Sequence, residues 1–269
     1  MAKLAVDQDR ASVRVACRAF QISEHCYRYE AKLVDENKVV AESLSDLVSQ
    51  EKTWGFGLCF LYLRNVLGKP WNHKRVYRIY RELALQLRIK PRSRIERQVP
   101  QKLAIPAAIN TVFSVDFMHD QLSDGRSFRT FNVIDDCTRE GLALEADIAL
   151  PTARVTRVLD QLFEWRGVPQ AIRCDNGPEF ISKGFKAWAH AKGVRIEYTQ
   201  PGNPQQNAYI ERFNRTVRYD LFAQEQFASI EQVQEAATKW LWRYNHRRPN
   251  MGNGGITPAQ KREQVECQC

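Results

Sequence analysis

Three acidic residues carry the strongest chemical signal in this 269-residue chain: Asp116, Asp175 and Glu211. Asp116 sits inside Thr111-Val112-Phe113-Ser114-Val115-Asp116-Phe117-Met118, a β-rich run that is apolar on both faces, as a central strand requires. Burying an ionised carboxylate in such a place is costly unless it is paired or binds a metal. Asp175 directly follows the short apolar run Ala171-Ile172-Arg173-Cys174, and strand ends of that kind open onto the crevice where ligands sit. Glu211 belongs to a helical stretch in which Ile210, Phe213, Val217 and Leu221 form an apolar stripe, with Glu211, Arg215 and Arg218 on an adjoining polar one. That helix would aim a carboxylate at the site and guanidinium groups at an anionic substrate beside it. Carboxylates gathered at one place repel each other unless cations neutralise them. Oxygen-only ligands select hard Mg²⁺ or Mn²⁺. Two such ions about 4 Å apart activate a nucleophilic oxygen and stabilise the leaving one in an in-line phosphoryl transfer, with no covalent enzyme intermediate.

Spacing alone is a weak argument. Thirty-five residues separate Asp175 from Glu211, but 31 of the 269 residues are acidic, so chance coincidences are common. The plain alternative makes Asp175 a helix cap and Glu211 a surface residue paired with Arg215. The local context of all three positions together favours the metal reading.

The elements that would position these groups follow from periodicity. After the strand bearing Asp116, Asp124-Gly125 supplies a hairpin turn, and Phe128 to Ile134 and Leu142 to Ile148 read as two more strands. Pro151 opens a helix with Val155, Val158, Leu159, Leu162 and Phe163 on one face. Ala171 to Cys174 is a fourth strand, Gly177-Pro178 starts the next helix, and Val194 to Tyr198 is a fifth strand. The loop Gln200 to Gln206 leads into a helix from about Gln205 to Phe222, and a last helix buries Ile230, Val233, Ala237, Trp240, Leu241 and Tyr244. Three meandering strands followed by alternating strands and helices give an α/β chain in which strands one and four can lie side by side.

Residues 1 to about 52 read as helical and contain no glycine. Asn72 is a plausible cap for a helix from His73 to about Leu85, with Val76, Ile79, Tyr80 and Leu83 on an apolar stripe. Lys74, Arg78 and Arg81 form a basic stripe on it, with Arg75 beside them. A helix with a core face and a basic face, preceded by another short helix, resembles a recognition element. The bland alternative is an amphipathic surface helix. Charge favours nucleic acid: the chain carries +9, and residues 61–102 hold 12 basic and only 2 acidic side chains. Arg88 to Lys102 reads as a basic, extended linker.

The seven cysteines are odd in number and lack paired spacing, which argues against a disulfide framework or a zinc site. The five histidines show no metal-ligand grouping. Asp120, Asp135 and Asp136 lie near enough to support the site, although ordinary strand-end acids is the simpler reading. No apolar run approaches a membrane span, and the N-terminus shows no apolar signal core, so a cytoplasmic protein without a membrane partner is expected.

Over roughly residues 10 to 263 the sequence resembles transposases of the insertion-sequence-three family, whose core is similar to that of retroviral integrases. The resemblance rests on Ser114-Val115-Asp116-Phe117, Asn132-Val133-Ile134-Asp135-Asp136, Ile172 to Phe180, Pro201 to Glu211, and the trailing Trp242-Arg243-Tyr244-Asn245, Arg248-Pro249 and Thr257-Pro258. It implies a ribonuclease H-like fold: a mixed five-stranded sheet preceded by a small all-helical region. The family's D, D, 35, E triad falls on Asp116, Asp175 and Glu211, its later basic residue on Arg218. The domains implied are a helical, basic DNA-binding region over 1–102 (helix-turn-helix-like near 56–86, linker 88–108), an integrase core over 109–225, and a C-terminal helix and tail over 226–269 packed on the core. Lys74, Arg75, Arg78, Arg81, Asn207, Arg215 and Arg218 would contact DNA, with helix capping the alternative role for Asn207. The implied activity is cleavage at the 3′ ends of an insertion sequence and strand transfer, using two Mg²⁺ or Mn²⁺ ions, by a homo-oligomer on DNA.

The likeness of Arg14 to Phe20 to the start of a second-frame product implies a first-frame partner carrying a helix-turn-helix and leucine zipper, or a fusion with it. Two other functions stay open: a DNA-binding regulator with an inactive core, and a nuclease of the same fold without strand transfer. Asn250 and Met251 to Gly255 depart from the family pattern.

Overall fold

The computed structural model describes residues 1–8, 11–28, 34–88, 106–200 and 204–267. The linker expected over 88–108 lies, apart from its ends, outside the described residues. The chain divides into two compact units, Met1–Asp46 and Leu47–Cys269. The first contains helices α1 (Ala2–Asp7), α2 (Val13–Ala19) and α3 (Glu24–Arg28) and most of α4 (Val34–Gln50). The expected helical run is thus broken into short pieces, one of them started where the Ser23 hydroxyl accepts the Cys26 N–H.

The second unit opens with α5 (Phe56–Leu61), which loosens into a π turn over Tyr62–Val66, and α6 (His73–Glu82). Asn72 caps α6, its side chain accepting the Lys74 N–H at 2.9 Å. Val76, Ile79 and Tyr80 are buried, while Lys74, Arg78 and Arg81 are exposed. The helix ends earlier than Leu85 because Ala84 turns to φ 52°.

Strands β1 (Val112–Gln121), β2 (Ser127–Asp135), β3 (Gly141–Asp147), β4 (Ala171–Cys174) and β5 (Arg195–Tyr198) form one sheet in the order β3-β2-β1-β4-β5. The first three are an antiparallel meander, and β4 and β5 add in parallel on the other side of β1. Helix α7 (Thr152–Arg166) makes the crossover to β4. The single helix expected after Gly177-Pro178 is two, α8 (Pro178–Ile181) and α9 (Lys183–Ala191), because the Ser182 hydroxyl accepts the Phe185 N–H and restarts the chain. Past β5 come α10 (Ala208–Val217), α11 (Ile230–His246) and α12 (Pro258–Glu266). The long helix expected from Gln205 to Phe222 has a regular centre only: a 3₁₀ turn precedes α10 and a π turn, Arg218–Phe222, follows it.

Side chains alternate across a sheet, so each face has its own core. Phe113, Val115, Phe131 and Val133 pack with Val155, Leu159 and Leu162 of α7 and Phe185 of α9. Met118, Ile134, Leu144 and Ala146 pack with Ile210, Phe213 and Val217 of α10 and Val233, Ala237, Trp240 and Tyr244 of α11. Asp116 shares the parity of Met118 and therefore faces the α10–α11 layer.

The compact units do not divide at 102 or 226, the boundaries read from sequence. Polar contacts explain why the residues just before and after the sheet belong with it. Thr53 donates to Asp220 at 2.8 Å, Arg243 pairs with Glu51 at 2.5 Å, and the Asn65 side-chain amide donates to the Gly255 carbonyl at 2.7 Å while the Asn65 main-chain carbonyl accepts from Gln260 at 3.2 Å. The atypical 250–255 segment thereby has a structural role. Asn250 caps a 3₁₀ turn, Asn253 donates to the Thr138 carbonyl at 2.6 Å, and Gly255 at φ 85° lies so close to α5 that a Cβ would stand 2.7 Å from Leu61. Gly255→Ala should destabilise the protein by about 2 kcal/mol through backbone strain and overpacking, measured by chemical denaturation.

Candidate active site

The pairing of β1 with β4 brings the first two carboxylates together. Val112, Phe113 and Ser114 stand opposite Ala171, Ile172 and Arg173. Carried on at the same offset, that register sets Asp175, just past the end of β4, level with Asp116. Neighbouring strands lie about 4.8 Å apart. The turn holding Asp175 is itself fixed: its Oδ1 accepts the Gly177 N–H at 3.0 Å, and the Asn176 amide donates to the Thr199 carbonyl at 2.9 Å. Asp175 is therefore the first residue of a tight turn, and the cap of α8 is Gly177.

Asp116 is half-buried, and both its oxygens are held: Oδ1 accepts the Phe117 N–H at 2.8 Å and Oδ2 the Asn214 amide at 2.7 Å. Burial, with repulsion from Asp175 and Glu211, raises its pKa to about 6 against those two hydrogen bonds. The three carboxylates thus share one electrostatic neighbourhood. Glu211 is exposed on the first turn of α10, and burial of its carboxyl raises its pKa as well. No ion pair between Glu211 and Arg215 is present among the described residues. As the side chains stand, no group of three or more His, Cys, Asp or Glu among the described residues is placed to hold an ion. The donor set nevertheless suits a hard cation: all three groups are carboxylates, each held oxygen keeps a lone pair, and a divalent charge would relieve the repulsion on Asp116.

Arg215, one turn beyond Glu211 on α10, and Arg218, the first residue of the π turn that follows, are both exposed. Asn207 is set apart from them. It is 5% exposed, and its amide donates to the Val115 carbonyl at 3.4 Å while its buried Oδ1 has no partner. It is the residue before α10 yet makes no side-chain cap. On α6, Lys74 and Arg81 are exposed and Arg78 leans on Glu82 at 3.5 Å. Asp135 and Asp136 serve the scaffold: Asp135 accepts the Cys137 and Asn110 N–H groups, and Asp136 pairs with Arg173 at 2.5 Å.

Comparison with known proteins identifies the family. Two integrase core domain models match, one over residues 106–204 and one over 192–258. The insertion element IS407 uncharacterized 31.7 kDa protein of Burkholderia multivorans is 36% identical over 252 residues, covering 93% of this chain and 90% of its own length. The insertion element IS476 uncharacterized 39.2 kDa protein of Xanthomonas euvesicatoria is 34% identical over 249 residues, covering 93% of this chain and 72% of its own. The chain belongs to the insertion-sequence-three family of DDE transposases. A chain in the structure of the simian T-cell lymphotropic virus intasome in complex with PP2A regulatory subunit B56 gamma aligns at a TM-score of 0.52 and 17% identity, over 81% of this chain and 74% of that one, a likeness of fold. The transposase is thus a polynucleotidyl transferase of transposition and DNA integration, built on the ribonuclease H-like fold.

Sequence reasoning gave no role to four residues that surround these carboxylates. Glu179, on α8, forms an ion pair with Arg129 of β2, whose guanidinium lies 4.2 Å over the Phe117 ring. That pair ties the Asp175 turn to the strands beside Asp116. Asn214 holds Asp116, and Asn132 in turn holds Asn214. A polar residue inside the apolar run Phe131-Asn132-Val133-Ile134 was the available signal.

Burial opposes ionisation of Glu179, but the Arg129 hydrogen bond outweighs it and keeps the carboxyl below the ordinary glutamate range. A depressed carboxylate stabilises the fold above its unfolded pKa of about 4.3, and that stabilisation is lost as pH falls through the folded value. Glu179→Gln should cost about 2 kcal/mol at pH 7. The gap between variant and parent, followed by urea denaturation across pH, should close in acid.

Proposed function

We propose that Asp116, Asp175 and Glu211 are the metal-holding catalytic residues with which this transposase hydrolyses the 3′ ends of its element and joins them to another phosphodiester. The observation that carries the reading is the β1–β4 register, which aligns two carboxylates at the sheet's centre, with the third acting on Asp116 electrostatically. Divalent ions, Mg²⁺ or Mn²⁺ and two in number, would supply activation of the attacking oxygen and neutralisation of the leaving one. The residues of the chain do the rest. Asp116, pinned at both oxygens, offers a fixed ligand, and Asp175 a second on a tight turn. Glu211 stands on the first turn of a helix whose entry residues differ in conformation from its body, which suits a ligand that completes the site when DNA arrives.

Arg215 and Arg218 are positioned to contact the phosphate backbone beside Glu211. Lys74, Arg75, Arg78 and Arg81 would bind DNA along the exposed side of α6. Asn207 would contact DNA only by turning its side chain out of its buried position at the base of the same helix. Function on DNA as a homo-oligomer, and with a first-frame helix-turn-helix and leucine-zipper partner, belongs to this reading. So does a bacterial cytoplasmic, nucleoid-associated location; no described helix is long and apolar enough to cross a membrane.

The test is incubation of the protein, alone or fused to a first-frame partner, with labelled element ends and Mg²⁺. Joined products that vanish in Asp116→Asn support the proposal. Nicks without joining would identify a nuclease, and a gel shift without either product a regulator. For the DNA contacts, Arg218→Ala should weaken binding about equally for all sequences and lower the salt dependence of log K by about one phosphate contact, read by fluorescence anisotropy across ionic strengths.

A further inference from the structure

Asp116 is aimed by a chain of two asparagines from different layers of the fold. Asn132 lies directly across from Asp116 in the β1–β2 ladder and points to the same face of the sheet. Asn214 comes down from α10, three residues beyond Glu211. The Asn132 amide donates to the Asn214 carbonyl oxygen at 2.6 Å, and the Asn214 amide donates to Asp116 Oδ2 at 2.7 Å. Asn132 is fully buried and Asn214 is 9% exposed.

The polarity of this chain matters. A carboxamide has a donor end and an acceptor end of nearly the same shape, and turning it over exchanges them. A flipped Asn214 would set its carbonyl oxygen against the Asp116 carboxylate, which already feels two other negative charges. Only a donor on its far side holds Asn214 in the productive sense, and Asn132 is that donor. Asn132 gains no full set of bonds in return: its own Oδ1 is buried without a partner. An apolar residue of the same size would suit the site better if packing were all it served.

We infer that Asn132 and Asn214 form a relay that orients the Asp116 carboxylate for metal binding, with Asn214 the positioning residue and Asn132 the group that fixes its sense. The inference rests on the reading of Asp116 as a metal ligand. Because Asn214 and Glu211 share one turn of α10, the relay also couples the Asp116 carboxylate to the placement of the helix bearing the third acid.

The test is Mn²⁺ affinity of the full chain, read from the electron paramagnetic resonance signal of free Mn²⁺, beside stability from chemical denaturation. Partners behind a metal ligand typically change affinity 10- to 100-fold, so Asn214→Leu should weaken Mn²⁺ binding by about that factor. Asn132→Leu should weaken it by a smaller factor, and the double variant no further than Asn214→Leu alone. The double variant should be more stable than Asn214→Leu, since Asn132 no longer loses its acceptor. A purely structural role would make affinity recover along with stability. That recovery, or unchanged affinity in Asn214→Leu, overturns the relay. If Asn214→Leu fails to fold, Asn214→Ser, whose hydroxyl is too short to bridge, gives the same comparison. Asp116→Asn is the control that separates the two claims: wild-type-like Mn²⁺ binding in that variant sinks the metal-ligand reading itself, and the relay with it.

Discussion

The parallel pairing of β1 with β4 is the constraint on which the site depends. It sets two carboxylates side by side at the centre of a sheet, one within a strand and one at a strand end. Like charges so placed resist full ionisation, which is why burial and the neighbouring acids lift Asp116 to about 6. The protein offsets part of that cost with donors, the Phe117 N–H and the Asn214 amide, and none of them is a cation. An arginine at that position would lower the pKa more, yet it would also compete with any metal for the same oxygens. Neutral donors hold a carboxylate in place while leaving its charge available.

Cations are used one step further out. Arg129 reaches Glu179 across the face of Phe117, and Arg173 bridges Asp136 and Glu197 beneath the strands. Both pairs are mostly shielded from water, where removing one partner is expensive, so each holds the strands it joins in register. The first braces the Asp175 turn. The second joins β4 to β5 and to the turn that follows β2. The aromatic cluster of Phe117, Phe131, Phe180 and Phe185 packs beside the first pair, with Phe117 under the Arg129 guanidinium.

A second set of contacts joins the residues before the sheet to those after α11. Thr53 and Arg248 both bind Asp220, and the 250–255 segment stitches the π turn after α5 to the β2–β3 connection. Asp220 lies in the π turn that ends the Glu211 helix. The placement of that helix therefore depends on the N-terminal and C-terminal parts of the unit together.

Much of this was legible in the sequence, because it is written in short-range patterns. The alternation in Val112 to Met118, the stripe on α7, the Asn72 cap and the Asp124-Gly125 turn are each decided by a few neighbouring residues, and the order of elements allowed strands one and four to lie side by side. An acid inside a doubly apolar strand also announces itself, since its burial demands a reason. What the sequence could not settle lies at long range or in the exact run of a helix. Nothing near Asn214 says that Asp116, 98 positions away, accepts its hydrogen bond. Likewise, nothing near Asn207 says that its side chain is buried against Val115 and not exposed beside Arg215. The breaks at both ends of α10 depend on what those segments pack against. Local chemistry specified the elements and nominated the acids; the tertiary structure chose their partners, because a hydrogen bond between distant residues exists only once the sheet and its helices have closed around it.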